Sequence, residues 1–559
     1  MIKKTGAQII IQMLERQGIR TIAGIPGGAN LPLYDALGQS EQIRHVLTRH
    51  EQGAGFIAQG MARATGKPAV CFATSGPGAT NVLTAIADAK LDSIPVICIT
   101  GQVPYAMIGT DAFQEVDTYG MSIPITKHNF LVRSARELLW VIPEAFRIAL
   151  SGRPGPVLID VPKDVQADWV EFEKWPDPGC PDPFPHFDLA DLKKAALLIN
   201  RSRRPILYIG GGVIQSGAGP LTADLAEKAS IPTVMTLMGL GALPTDHPLS
   251  LGMLGMHAAR YANFALEECD LLIAAGVRFD DRATGKVAEF CPDAEIIHID
   301  IDTSELDKIK TSHVGITGDV GGVLQALLPM VNKASRNEWL DFVSELKQGH
   351  PLRFSGEDDP LSPYGLTKLV ARLLGEEAIV VTDVGQHQMR TAQAYPFRHP
   401  RYWLTSGGLG TMGFGLPAAI GAALACPDCP VVCFSGDGSL LMNIQELATA
   451  VEQNVNVKII LMNNNSLGLV HQQQELFFGK RIFASDYKTR VDFVKIAEGF
   501  GMKAFDLNGS GNPEAELAKT LTEPGPVLIH ASVDVNEMVY PMVPPGAANR
   551  TMIGGEVHV

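Results

Sequence analysis

The sequence predicts an α/β protein of three domains, each a mostly parallel sheet flanked by helices. Three observations carry that reading. Short β-rich runs, each followed by a glycine turn and a helical pattern, recur from end to end, as βαβ units require. The 559 residues leave room for three such domains, at about 100–200 residues apiece. Two stretches break the rhythm: 175–188 (WPDPGCPDPFPHFD), an extended proline-rich linker, and 346–364, with its charged GEDDP turn. The cuts give domains near 1–180, 188–335 and 360–559, the first and third alike in length and rhythm.

At the N-terminus, MIKKTGAQIIIQMLERQGI carries Glu15 and Arg16 inside its apolar stretch and lacks a small-residue cleavage site. It reads as an amphipathic helix, not a signal peptide. Strands are expected at 69–73, 95–100 and 156–161, then at 205–209, 232–236, 271–275 and 295–301. In the third domain they are expected at 378–382, 431–434, 457–462 and 526–531. These near-continuous apolar runs suit parallel strands covered on both faces. The uncharged stretch 405–427 is long enough to suggest a membrane span, but six glycines and two prolines interrupt it. It reads instead as a buried loop and helix.

Composition narrows the function. Hydrophobic residues make up 46% and charged residues 19%, which excludes dominant disorder. A net charge of −14 without a long basic run makes nucleic acid and anionic membrane poor partners. Eight scattered cysteines suit a reducing compartment, and the expected location is cytoplasmic. Cys426 and Cys429 form a CxxC, but zinc needs about four ligands and no second pair exists, so they read as structural.

The strongest local signal is Gly436-Asp437-Gly438 after the strand VVCF, with Asn463-Asn464 ending the next strand, VKIILM. A hard divalent cation on a diphosphate wants one carboxylate, one amide carbonyl and a backbone carbonyl. Both strand ends belong at the C-terminal edge of one parallel sheet, where such folds bind ligands.

This GDG…NN pair resembles the signature of the thiamine-diphosphate enzymes. Arg49-His50-Glu51-Gln52-Gly53-Ala54 looks like the glutamate loop of that superfamily. Ile25-Pro26-Gly27-Gly28, Ser75-Gly76-Pro77-Gly78, Phe113-Gln114-Glu115, the run RFDDR from Arg278, Gly385-Gln386-His387-Gln388 and the run SGGLGTM from Ser406 resemble catalytic subunits of the acetohydroxyacid synthase family, isozyme I type. The likeness spans nearly the whole chain.

The resemblance implies a first domain that binds the pyrimidine, a central FAD-binding-like domain and a third that binds diphosphate and metal. It implies thiamine diphosphate, Mg2+ and a non-redox FAD. Glu51, Gly28, Gln114 and Met412 match catalytic positions. Glu51 would exchange a proton at the cofactor's N1′, and Met412 would hold the cofactor bent. Val384, Gln386, His387, Gly410, Gly436, Gly438 and Ser439 match the rest of the cofactor site. Asp437, Asn464 and the backbone of Ser466 match the metal ligands.

For FAD the matching positions are Arg153, Gly210, Gly211, Gly212, Thr236, Leu237, Met238, Met256, His257, Gly276, Arg278, Asp280, Arg282, Asp300, Ile301, Asp319 and Val320. A triple glycine alone is weak evidence of a dinucleotide; the set of βα turns with RFDDR is what resembles the family. Phe113, Lys163, Arg282 and Gln473 match positions around the substrate. Two residues depart from the family pattern: Gln473 and Arg390 each stand where tryptophan is usual.

The implied reaction is carboligation. Pyruvate is decarboxylated and its two-carbon unit joined to a second 2-ketoacid, giving 2-acetolactate or 2-aceto-2-hydroxybutyrate for valine, leucine and isoleucine synthesis. The implied partners are a second copy, in a dimer or dimer of dimers with sites at the interface, and a small regulatory subunit. Alternatives are a flavin-free acetolactate synthase, opposed by RFDDR, and a pyruvate oxidase that uses its flavin for electron transfer. Glyoxylate carboligase is opposed by Glu51. An NAD-dependent oxidoreductase would leave GDG…NN without a use, and a non-catalytic subunit would leave Glu51, Asp437 and Asn464 without one.

Overall fold

The structure is a computed structural model and describes residues 1–555; residues 556–559, the end of the third predicted domain, lie outside the described residues. Its first part contains β1 (Ile2–Thr5), β2 (Thr21–Gly24), β3 (Arg44–Leu47), β4 (Ala69–Ala73), β5 (Val96–Gln102), β6 (His128–Leu131), β7 (Val157–Pro162) and β8 (Trp169–Phe172). Six of these make a parallel sheet in the order β3-β2-β4-β5-β7-β6, while β1 and β8 pair antiparallel.

The middle part supplies β9 (Pro205–Ile209), β10 (Thr233–Met235), β11 (Ser250–Met253), β12 (Leu271–Ala275), β13 (Glu295–Asp300) and β14 (Val314–Thr317), parallel in the order β11-β10-β9-β12-β13-β14. The last part supplies β15 (Ile379–Thr382), β16 (Trp403–Leu404), β17 (Val431–Gly436), β18 (Val457–Asn463), β19 (Lys503–Asp506) and β20 (Val527–Ser532), parallel in the order β16-β15-β17-β18-β20-β19. Counted from the first strand of each parallel sheet, the outer two have the same order, and the middle sheet has the order of a doubly wound dinucleotide fold.

Each strand expected from sequence is present within two residues at either end. The N-terminal helix is Gly6–Arg16, with a capping box from Thr5 and Gln8. The four residues before it form β1, which the helical pattern concealed. The second linker is shorter than expected. Helix Asn337–Gly349 carries its amphipathic pattern past Leu346, and Pro363–Leu374 begins at a Ser362 cap with proline at its first turn, leaving 350–362 between them. Within 405–427 lies the almost wholly buried helix Gly415–Ala425, and among the described residues no helix is long and apolar enough to cross a membrane.

That helix packs against Glu51–Thr65 and joins the first and last domains through one core. The approach is close enough to require glycine. A Cβ on Gly60 would lie 2.0 Å from the Ala418 carbonyl oxygen, and one on Gly421 would lie 2.1 Å from that of Ile57.

Candidate active site

β17 ends at Gly436, and Asp437 opens the short helix Asp437–Leu441. β18 runs beside β17 with Gly436 opposite Met462, so Asp437 and Asn464 emerge beside each other at the C-terminal edge of the sheet. Asn464 Oδ1 accepts from the Ser466 amide at 3.1 Å, and its Nδ2 donates to Gln386 Oε1 at 3.4 Å. Ser439 donates to the Val384 carbonyl at 2.6 Å. These residues line a cavity of about 200 Å3 together with His387, Gly410, Met412, Gly436, Gly438 and Ser466.

Three atoms on this wall, Arg390 Nε among them, lack partners. Asp437 Oδ2 and His387 Nε2 are both buried without a hydrogen bond, a rare and costly condition unless a ligand completes it. Burial pushes the Asp437 carboxyl up to about 6 and the His387 ring down to about 3, so the imidazole is neutral. Among the described residues no three His, Cys, Asp or Glu side chains gather to hold a metal. A cation beside Asp437 therefore needs amide, backbone and phosphate oxygens, and the residues present fit a magnesium diphosphate.

The loop carrying Gly410 and Met412 is fixed on both sides. Buried Asp383 accepts from the amides of Val384 at 2.9 Å, Gly413 at 2.8 Å and Gly415 at 3.1 Å. On the other side, Thr411 donates to Asp88 of the first domain at 2.9 Å. Sequence reasoning missed both aspartates. The one available signal for Asp88 was a pair of carboxylates, Asp88 and Asp92, one helical turn apart next to an apolar run.

A second cavity of about 780 Å3 adjoins at Gly410 and Leu469. Every position matched to FAD lines it. Gly210, Gly211 and Gly212 follow β9, and Gly276 follows β12. A Cβ on Gly212 would lie 2.6 Å from the Gly276 Cα, which itself sits at φ +59°. Asp300 ends β13, where burial pushes its carboxyl up to about 6. Arg153 donates to Glu305 at 2.7 Å and Ser93 at 2.8 Å. Arg282 is exposed and forms a long ion pair with Asp281 at 3.8 Å. Gln473, exposed on its helix, lines the same cavity, as do Leu469 and Met542.

The remaining matched residues stand apart. Neither cavity is lined by Glu51, Gly28, Phe113, Gln114 or Lys163. Glu51 opens its helix and accepts from Asn81 Nδ2 at 3.0 Å. Gly28 and Lys163 are exposed, and Phe113 is 88% exposed. Gln114 takes a left-handed φ of 59°. Within one chain, then, the structure gathers the diphosphate, metal and flavin positions but not the first-domain group.

Arg390 is 1% exposed and lines the smaller cavity. Its guanidinium donates to the Glu537 carbonyl and lies 5.9 Å from the centre of the Tyr364 ring. The contact sets a flat cation near an aromatic face.

Three family models match in the order of the three sheets. Residues 4–121 match the N-terminal TPP binding domain of thiamine pyrophosphate enzymes, 192–327 the central domain and 383–531 the C-terminal TPP binding domain. Fold and site together define a thiamine pyrophosphate enzyme. Acetolactate synthase isozyme 1 large subunit of Escherichia coli (strain K12) is 62% identical, over 98% of this chain and 98% of its own. Isozyme 2 large subunit of the same organism is 47% identical over 98% and 99%. The probable acetolactate synthase large subunit of Methanocaldococcus jannaschii is 46% identical over 97% and 94%. The chain belongs to the acetolactate synthase large-subunit family.

Proposed function

We propose that this chain joins the two-carbon unit of decarboxylated pyruvate to a second 2-ketoacid. It makes 2-acetolactate, or 2-aceto-2-hydroxybutyrate when 2-ketobutyrate is the acceptor, for branched-chain amino-acid synthesis in the cytoplasm. The observation that carries the reading is the unpartnered Asp437 Oδ2 beside Asn464, in a cavity that shares Gly410 and Leu469 with a larger one.

Asp437, Asn464 and the Ser466 backbone hold Mg2+, whose charge offsets a diphosphate. Val384, Gln386, His387, Gly410, Gly436, Gly438 and Ser439 surround the cofactor, and Met412 presses on it from the loop fixed by Asp383. Thiamine diphosphate, when bound, supplies the electron sink that decarboxylation and ligation both need. Glu51 moves a proton at N1′. Arg282 receives the carboxylate of a ketoacid, and Gly28, Phe113, Gln114 and Lys163 shape its approach. The glycine turns, Arg153 and Asp300 hold FAD in the larger cavity. Two pyruvates become acetolactate and CO2 without net electron transfer, so the flavin undergoes no redox change.

A second copy of the chain brings Glu51, Gly28 and Gln114 to the cavities, and a small regulatory subunit joins the assembly. The test is an anaerobic assay of the purified protein with pyruvate, Mg2+, thiamine diphosphate and FAD, with no electron acceptor. Acetolactate, read as acetoin after acid treatment, is expected. Acetate as the main product, dependent on oxygen or quinone, would overturn the reading in favour of an oxidase.

A further inference from the structure

Between the first and last domains lies a buried polar cluster at the edge of the larger cavity, none of whose members matches a cofactor position. The side chains of Arg63, Asp88 and Asp92 are 5%, 0% and 0% exposed. Arg63 donates to Asp92 at 2.8 Å, to Asp88 at 3.1 Å, to Gln59 at 2.7 Å and to the Thr405 carbonyl at 2.9 Å. It also lies 5.0 Å from the centre of the Phe414 ring. One cation faces two carboxylates, so the cluster carries excess negative charge in a place water does not reach. Such a group survives only if further donors serve it.

Those donors all come from the 406–411 segment. The Gly408 amide donates to Asp92 at 2.7 Å and the Gly407 amide at 3.1 Å. Ser406 and Thr411 donate their hydroxyls to Asp88, and the Thr411 amide closes the loop on Ser406 Oγ at 2.8 Å. The same segment divides the two cavities. Residues 406–410 line the larger, as do Arg63 and Asp92 themselves, while Gly410 and Met412 line the smaller. Gly408, Leu409 and Gly410 are otherwise exposed, so the two aspartates restrain the 406–411 side of the loop, with Gln388 donating to the Ser406 carbonyl at 3.1 Å and Asp383 holding the 413–415 side.

We infer that Asp88 and Asp92, held by Arg63, are positioning residues that set the 406–412 loop for both cavities and thereby couple flavin binding to thiamine-diphosphate binding. A flavin lying along Gly407–Gly410 bears on the loop whose other face presents Met412 to the second cofactor. Coupling of this kind is reciprocal in the two affinities.

The inference rests on the cofactor assignment proposed above. Its test is a titration of thiamine diphosphate with Mg2+, followed by intrinsic fluorescence, into protein stripped of flavin and into the same protein saturated with FAD. The wild type is expected to bind thiamine diphosphate about 5–100-fold more tightly with FAD present. Asp92→Ala should bring that ratio close to one, and Asp92→Asn, which keeps one acceptor for the glycine amides, should fall between. Melting temperatures of the FAD-saturated variants identify any that fail to fold, and Ser406→Ala supplies the second route, since it removes a loop donor without unburdening Arg63. A ratio of one in the wild type, or an undiminished ratio in both Asp92→Ala and Ser406→Ala, would overturn the inference. Failure of FAD to bind the wild type at all would instead sink the flavin assignment.

Discussion

Gln473 yields a prediction about product choice. Itself exposed, it borders the larger cavity, whose lining also includes the apolar side chains of Leu469 and Met542. An indole there would pack against the extra methyl of 2-ketobutyrate, and one methylene in an apolar pocket is worth roughly 1–3 kcal/mol, or about 10–200-fold. A glutamine amide prefers water and forgoes that gain. The wild type is therefore expected to use pyruvate and 2-ketobutyrate as acceptors with little bias, and Gln473→Trp to raise the bias toward 2-ketobutyrate by about tenfold or more. Competition assays measuring both products at known substrate ratios decide it; a strong wild-type preference that the substitution leaves alone would place specificity elsewhere. At this scale the sequence was legible where a motif repeats a pattern: Asp437 and Asn464 meet at one cavity, and the glycine turns after β9 and β12 meet at the other. It was silent on Asp383, Asp88 and Arg63, because a buried ion or acceptor is defined by partners that lie from tens to hundreds of residues away.

Between elements, two contacts yield measurable consequences. The helices Glu51–Thr65 and Gly415–Ala425 touch backbone to backbone at Gly60 and Gly421. Gly60→Ala should therefore force them apart and cost about 1–3 kcal/mol, read as a lower denaturation midpoint, and should disturb Glu51 at the head of the same helix. An unchanged midpoint would mean that the helices give way freely. The second contact joins β5 to β7. Asp160 is fully buried and accepts from Thr100 at 2.7 Å and Gln102 at 3.0 Å, yet no cation faces it, and burial pushes its carboxyl up to about 7. The folded state thus holds a proton that the unfolded state releases near pH 4. Between those values the native chain binds more protons, so stability falls as pH rises from about 4 to about 7 and is level above. The loss is at most about 4 kcal/mol. Asp160→Asn should flatten that slope in urea midpoints taken at pH 5 and pH 8; parallel slopes would show that Asp160 ionises without penalty. Long apolar strands such as β5 and β18 were legible in sequence, whereas β3, β6 and β16 were not, being two to four residues long and polar or lying at sheet edges.

Across the whole molecule, the separation of Glu51 from the Asp437 cavity makes a prediction about assembly. If one chain's Glu51 serves another's Asp437, Glu51→Gln and Asp437→Ala proteins, each nearly inactive, should regain activity when unfolded and refolded together. Random pairing gives half mixed dimers, each with one intact site, hence about a quarter of wild-type activity. Sites built within single chains would give none. The division into three units was readable from βα rhythm and proline content, but the joining of the outer two was not, since nothing local marks which helices will meet. The identical strand order of those outer sheets now takes on a further meaning. The spacing that carries β5 onto β18 residue for residue also carries Ile57 onto Ala418 and Gly60 onto Gly421, so the helix contact is a twofold axis hidden inside one chain. By that same spacing, Glu51 falls on Met412. If one copy's first-domain twin and another copy's last-domain twin enclose a site, identical faces would leave a visitor free to enter either way round. An acid on one twin and a thioether on the other remove that ambiguity, and an unsymmetrical guest has one orientation to adopt.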